Sequence, residues 1–150
     1  MGYHTEFQGS FKLNKKLTKK LAEQIGLLST TRRMARNVAP EYGVEGEFYF
    51  KDDNLGVIGN NRPPRSQPSL WCQWVPTGDL KGLTWDGGEK FYEYTTWLNY
   101  IIKNFLTPNG YRLSGTVEFQ GEDRNDIGRI VVKDNQVKVE RATISYRSRA

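Results

Sequence analysis

A chain of 150 residues with a net charge of +5 is long enough to bury roughly two-thirds of its unfolded surface as one domain, with neither disulfides nor a metal to staple it. Its single cysteine, Cys72, excludes an intramolecular disulfide framework and a cysteine-based metal cluster, and points to a reducing compartment. No apolar run approaches the roughly 18 residues of a membrane span and no secretory apolar segment is visible, so a cytoplasmic protein is expected.

The charge is lopsided. Residues 1–40 hold eight Lys or Arg against Glu6 and Glu23, an excess of +6, and the rest of the chain is close to neutral. A local basic patch favours association with nucleic acid, acidic proteins or anionic surfaces and says nothing about fold; the alternative is a solvated face that aids solubility.

Residues 3–13 alternate Tyr3, Thr5, Phe7, Gly9, Phe11 and Leu13 with His4, Glu6, Gln8, Ser10 and Lys12. Residues 111–120 repeat the design, and each run carries a glycine in its middle, the mark of a half-buried strand. After the first run, Asn14 or Thr18 is placed to cap a helix that sets Leu17, Leu21, Ile25 and Leu28 on one side, with Lys15, Lys16, Lys19 and Lys20 mainly on the other. Residues 29–40 read as a second short helix or an irregular basic segment ended by Pro40, and Val44, Gly46, Phe48 and Phe50 suggest a further strand.

Residues 51–68, rich in Gly and Pro, are expected to form a mobile loop. Residues 69–75 are apolar on both faces and predict a covered or interfacial strand, and Leu83 to Trp85 a short one. Asp86 and Glu89 are spaced as a capping box for the main helix, whose stripe of Phe91, Tyr94, Trp97, Leu98, Ile101, Ile102 and Phe105 ends at Pro108-Asn109-Gly110. Asp134-Asn135 predicts a two-residue hairpin with Val132 facing Val137, Ile130 facing Val139 and Arg129 opposite Glu140; residues 142–146 could add a strand. The order of elements predicts an α+β fold: a ferredoxin-like sandwich, its antiparallel sheet extended by a C-terminal hairpin, with two main helices on one face and the two look-alike strands side by side.

Few side chains form a constellation fit for chemistry. His4 lies on the polar face of the first strand, and Cys72 sits in an apolar run with no histidine near it in sequence, so no catalytic residue is assigned. Glu118, Glu122, Asp123 and Asp126 are the best metal candidates, but they match no calcium-loop spacing, and Arg124 and Arg129 can neutralise them. Asp86-Gly87-Gly88 lacks a phosphate-loop or dinucleotide pattern, so no cofactor is expected. The polar face of the first strand lacks the aromatic rings on which RNA-recognition domains stack bases.

Two groups of residues remain as contact candidates. The first is basic: Lys15, Lys16, Lys19, Lys20, Arg32, Arg33, Arg36, Arg62 and Arg65. The second is aromatic, Trp71, Trp74 and Trp85, read as core, pocket or interface.

Tyr3-His4-Thr5-Glu6-Phe7-Gln8-Gly9, Trp85-Asp86-Gly87-Gly88-Glu89-Lys90-Phe91-Tyr92, Gly121-Glu122-Asp123 and Ile130-Val131-Val132-Lys133-Asp134-Asn135 resemble segments of small uncharacterised α+β proteins of bacteria and phages. That resemblance covers nearly the whole chain, implies a prokaryotic or phage source, and carries no established activity. The expectation is a non-enzymatic binding protein, acting as a stoichiometric binder or inhibitor of a host or phage protein. The alternatives are nucleic-acid binding through the basic helix, or an aromatic pocket serving a small ligand or an enzyme.

Overall fold

The computed structural model describes residues 2–149. Along the chain run β1 (Thr5–Gln8), β2 (Ser10–Leu13), α1 (Lys19–Thr30), β3 (Ala35–Arg36), β4 (Val57–Gly59), β5 (Trp74–Pro76) and β6 (Gly82–Trp85). They are followed by α2 (Tyr94–Ile101), β7 (Leu113–Gly121), β8 (Ile127–Lys133) and β9 (Gln136–Arg141). The protein is thus mixed α+β. Seven strands make one open sheet, β5-β6-β2-β7-β8-β9 with β1 also on β7, while β3 and β4 pair separately. Every ladder is antiparallel.

The look-alike runs do lie side by side. Thr5 opposes Gly121 and Leu13 opposes Leu113, one continuous register that β1 and β2 share. The run is split at Gly9, whose φ of 106° is open chiefly to glycine and whose added Cβ would sit 2.9 Å from the Thr116 carbonyl oxygen. Because the register never slips, the odd-numbered residues stay on one face. Phe7, Phe11, Val117, Phe119, Ile130 and Val132 join Leu21, Ile25 and Leu28 of α1 and Trp97, Leu98 and Ile101 of α2 in one core.

Local chemistry fixes the ends of the elements. Thr18 caps α1, its Oγ1 accepting from Leu21 N at 3.2 Å. The β8–β9 hairpin turns on Asp134 and Asn135, both at positive φ, with Val132 opposite Val137 and Ile130 opposite Val139 as expected. Arg129 opposes Glu140 and pairs with it at 2.6 Å.

Four expectations are corrected. The main helix begins at Tyr94 and not near Asp86: Lys90 and Glu93 adopt left-handed backbone, and Asp86 Oδ1 accepts from Gly88 N at 2.7 Å in a local turn. Residues 44–46 form a tight helical turn in place of a strand, because Gly43, Glu45 and Gly46 all have positive φ. The apolar run at 69–75 is strand only from Trp74. No strand follows Arg141 among the described residues. The 51–68 segment bonds to 32–37 through Ala35 N to Arg62 O, Asn37 N to Gly56 O and the side chains of Arg32 and Arg36.

Candidate binding surface

Two of the basic residues expected on a contact surface are inside the protein. Arg33 is 1 % exposed and Arg36 is 3 % exposed. The Arg33 guanidinium donates to Gln67 Oε1 at 3.2 Å, Thr31 Oγ1 at 2.6 Å, Glu47 O at 2.8 Å and Tyr49 O at 3.1 Å, and stacks over Phe50. Burial pulls its pKa down to about 10. Arg36 stacks over Tyr49 and donates to Asp53 and to the carbonyls of Leu55, Lys51 and Asp53. All of these acceptors belong to residues 31–67, so the two arginines hold that excursion of the chain together from within instead of facing a partner.

Arg32 and Arg62 are partly committed as well. Arg32 donates to Asn60 O and Asn61 Oδ1, and Arg62 makes a forked pair with Glu45 at 3.3 and 3.2 Å. The Glu45 carboxyl, which also accepts from Arg65 N, is held below its ordinary range by those donors. Arg65 itself is exposed.

The lysines behave differently. Lys15, Lys16, Lys19 and Lys20 are all exposed, at the entry to α1 and on its first turn. Backbone bonds from Leu13 N to Lys81 O, Asn14 N to Arg112 O and Leu17 N to Leu80 O pull two further chain segments against this entry. Lys12, Lys81 and Arg112 therefore gather beside the four lysines at one end of the sheet. None of the seven is ion-paired among the described residues. Asp79, on the same edge, spends its Oδ1 on Thr77 and Lys81 N.

Between α1 and Tyr111 runs a groove of about 380 Å³ lined by Lys15, Lys20, Asn109 and Tyr111. Lys15 Nζ donates to Asn109 O at 3.2 Å and lies over the Tyr111 ring. Sequence reasoning overlooked Lys81 and Arg112 as part of this surface because they lie some 60 to 100 positions from α1 and only the sheet register brings them there.

The far end of the same outer sheet face is acidic. Glu6 lies six residues before Lys12, roughly 20 Å along the strand, and near it are Glu118, Glu122 and Asp123, all exposed. Asp126 pairs with Arg141 at 2.8 Å and accepts from Tyr3, which together lower its pKa. No three acidic, histidine or cysteine side chains converge on a point that could hold a metal ion among the described residues.

The aromatic candidates separate. Trp74 is fully buried, edge-on to Phe7, Phe11 and Phe91, with Nε1 donating to Tyr94 O at 2.8 Å. Trp85 is half-buried and donates to Gln73 Oε1. Trp71 alone of the three is exposed. Cys72 is fully buried with its thiol pushed up to about 12, so it holds no reactive thiolate at neutral pH.

No helix among the described residues is long and apolar enough to cross a membrane. Comparison with protein families, with curated proteins and with solved structures returns no match.

Proposed function

We propose that the chain is a non-enzymatic binding protein of bacterial or phage origin that contacts an acidic protein stoichiometrically, through the lysine-rich end of the sheet. One observation carries this reading: seven basic side chains from three chain segments meet at one end without a single ion pair among the described residues. Unpaired cations held together on ordered backbone raise the local potential, and an acidic partner relieves their mutual repulsion while being steered to them.

The acidic opposite end favours a compact partner over a long polyanion lying along the sheet. Nucleic-acid binding through the basic helix is the second reading, favoured by the same unpaired lysines; the outer face of β1, β2 and β7 offers no ring for base stacking. As to architecture, we read the chain as a single ferredoxin-like domain. Support comes from the β7-β2-β6-β5 order, with α1 and α2 falling between its strands in sequence and β8–β9 added at one edge.

The test is charge reversal at Lys15, Lys16, Lys19 and Lys20 together. All four are exposed, so the variant folds, and it should lose partner binding that the parent shows. Unaltered binding would move the contact elsewhere.

A further inference from the structure

A second site stands apart from the lysine end. Glu47 is 7 % exposed, yet its carboxylate has no ion pair among the described residues: Oε1 accepts from Tyr100 Oη at 2.8 Å and Oε2 from Val44 N at 2.9 Å. Arg33 reaches only the Glu47 carbonyl, and Gln67 Nε2 donates to that carbonyl and to Tyr100 Oη. Two of the roughly four acceptor positions of this buried carboxylate are filled by neutral donors, and the others can take a further donor, while the nearby Arg33 guanidinium balances part of its charge.

That carboxylate lines a cleft of about 380 Å³, at the small end of the range for ligand sites. Ser66 also lines it, and the Ser66 hydroxyl is buried with no hydrogen-bond partner in the protein. Tyr100, Lys103 and Asn104 line its helical wall. The wall spans the switch from α2 to a five-residue π-helical stretch, Ile102–Leu106, a widening of the helix that recurs at functional sites. Lys103 is exposed at the rim and free of any ion pair among the described residues.

We propose that this cleft binds a small zwitterion of the free amino-acid class, its ammonium on the Glu47 carboxylate and the Ser66 hydroxyl, its carboxylate toward Lys103. The two charges of such a ligand match the buried acid and the rim lysine. The site shares no residue with the lysine end, and binding there is independent of a macromolecular partner.

The test is a titration of the intact chain, labelled with nitrogen-15, with glycine, L-alanine, L-serine and L-asparagine. Ethylamine and acetate serve as half-ligands. At least one amino acid should give saturable amide shifts centred on Glu47, Ser66, Tyr100 and Lys103. Glu47→Gln and, independently, Lys103→Glu should each weaken that binding by roughly tenfold or more, the loss of one charge-assisted hydrogen bond. Lys103 is exposed, so its variant stays folded even if Glu47→Gln does not. Absence of saturable shifts with all four amino acids would overturn the proposal. So would equal affinity for ethylamine, or binding unaltered in Lys103→Glu.

Discussion

Replacing Arg33 tests whether it is a structural residue. Arg33→Ala removes four side-chain hydrogen bonds in a buried setting. Glu47 O keeps its bond from Gln67 and the Thr31 hydroxyl keeps its bond to Leu27 O, so the two acceptors left bare are Gln67 Oε1 and Tyr49 O. Each orphaned buried acceptor costs about 1–3 kcal/mol, and the space vacated beside Phe50 adds to that. Relief from burying a charge offsets part of the loss, leaving about 3–5 kcal/mol. For a chain of this length that lowers Tm by about 10 °C or more. Arg33→Lys keeps the charge without the forked geometry and should cost about 2 kcal/mol. Arg32→Ala, with its side chain at the surface, should stay within about 1 kcal/mol of the parent. Urea unfolding followed by tryptophan fluorescence measures all three, since Trp74 and Trp97 are fully buried reporters. Arg33→Ala within about 1 kcal/mol of the parent, or no costlier than Arg32→Ala, would refute the reasoning.

Two further outcomes follow from the backbone and the core. Gly9→Ala places a Cβ against the Thr116 carbonyl at a φ of 106° and should cost about 1–3 kcal/mol by the same unfolding assay, whereas Gly26→Ala in α1, where nothing lies within 4 Å, should be neutral or stabilising. Burial raises the Cys72 thiol from 9.0 to about 12, so the folded state holds a proton that the unfolded chain releases. Stability from this group is complete below pH 9 and declines as pH rises from about 9 towards 12. Tyr100, raised mainly by burial, acts in the same direction at still higher pH, while Arg33, lowered to about 10, acts against it. Cys72→Ala should flatten the decline between pH 9 and 10, as measured by urea unfolding at stepped pH; an unchanged slope would contradict the assignment.

The sequence was most legible where one residue type has one physical use. A cap at Asn14 or Thr18, of which the structure uses Thr18, the alternation of β1–β2 and β7, and Asp134-Asn135 with its register all follow from local chemistry. It misled where local patterns compete. Residues 44–50 alternate as a strand does, but three positive-φ positions within four residues, Gly43, Glu45 and Gly46, curl residues 44–46 into a turn, and only one of them is unusual for its residue. Asp86 and Glu89 have the spacing of a capping box, yet Phe91 is drawn into the core and the helix starts after it.

Charge counting has a blind spot of its own. Arginine counts as surface charge in any composition argument, and nothing adjacent to Arg33 or Arg36 in the chain announces their acceptors, which lie up to 34 positions away. The four lysines were legible because an amphipathic helix entry puts them in solvent. The Glu47 cleft was not, since Tyr100 and Glu47 meet across 53 positions.

The most direct test of the central claim is binding to two labelled anions, a poly-glutamate peptide and a short DNA duplex, read by fluorescence anisotropy across a salt series. The parent should bind the acidic peptide, and the Lys15, Lys16, Lys19 and Lys20 to Glu variant should lose roughly tenfold or more in affinity. Preference for the duplex, with a log–log salt slope near −3.6 for four phosphate contacts, would transfer the claim to nucleic acid. Failure of the parent to bind either, or equal binding by the variant, would contradict it.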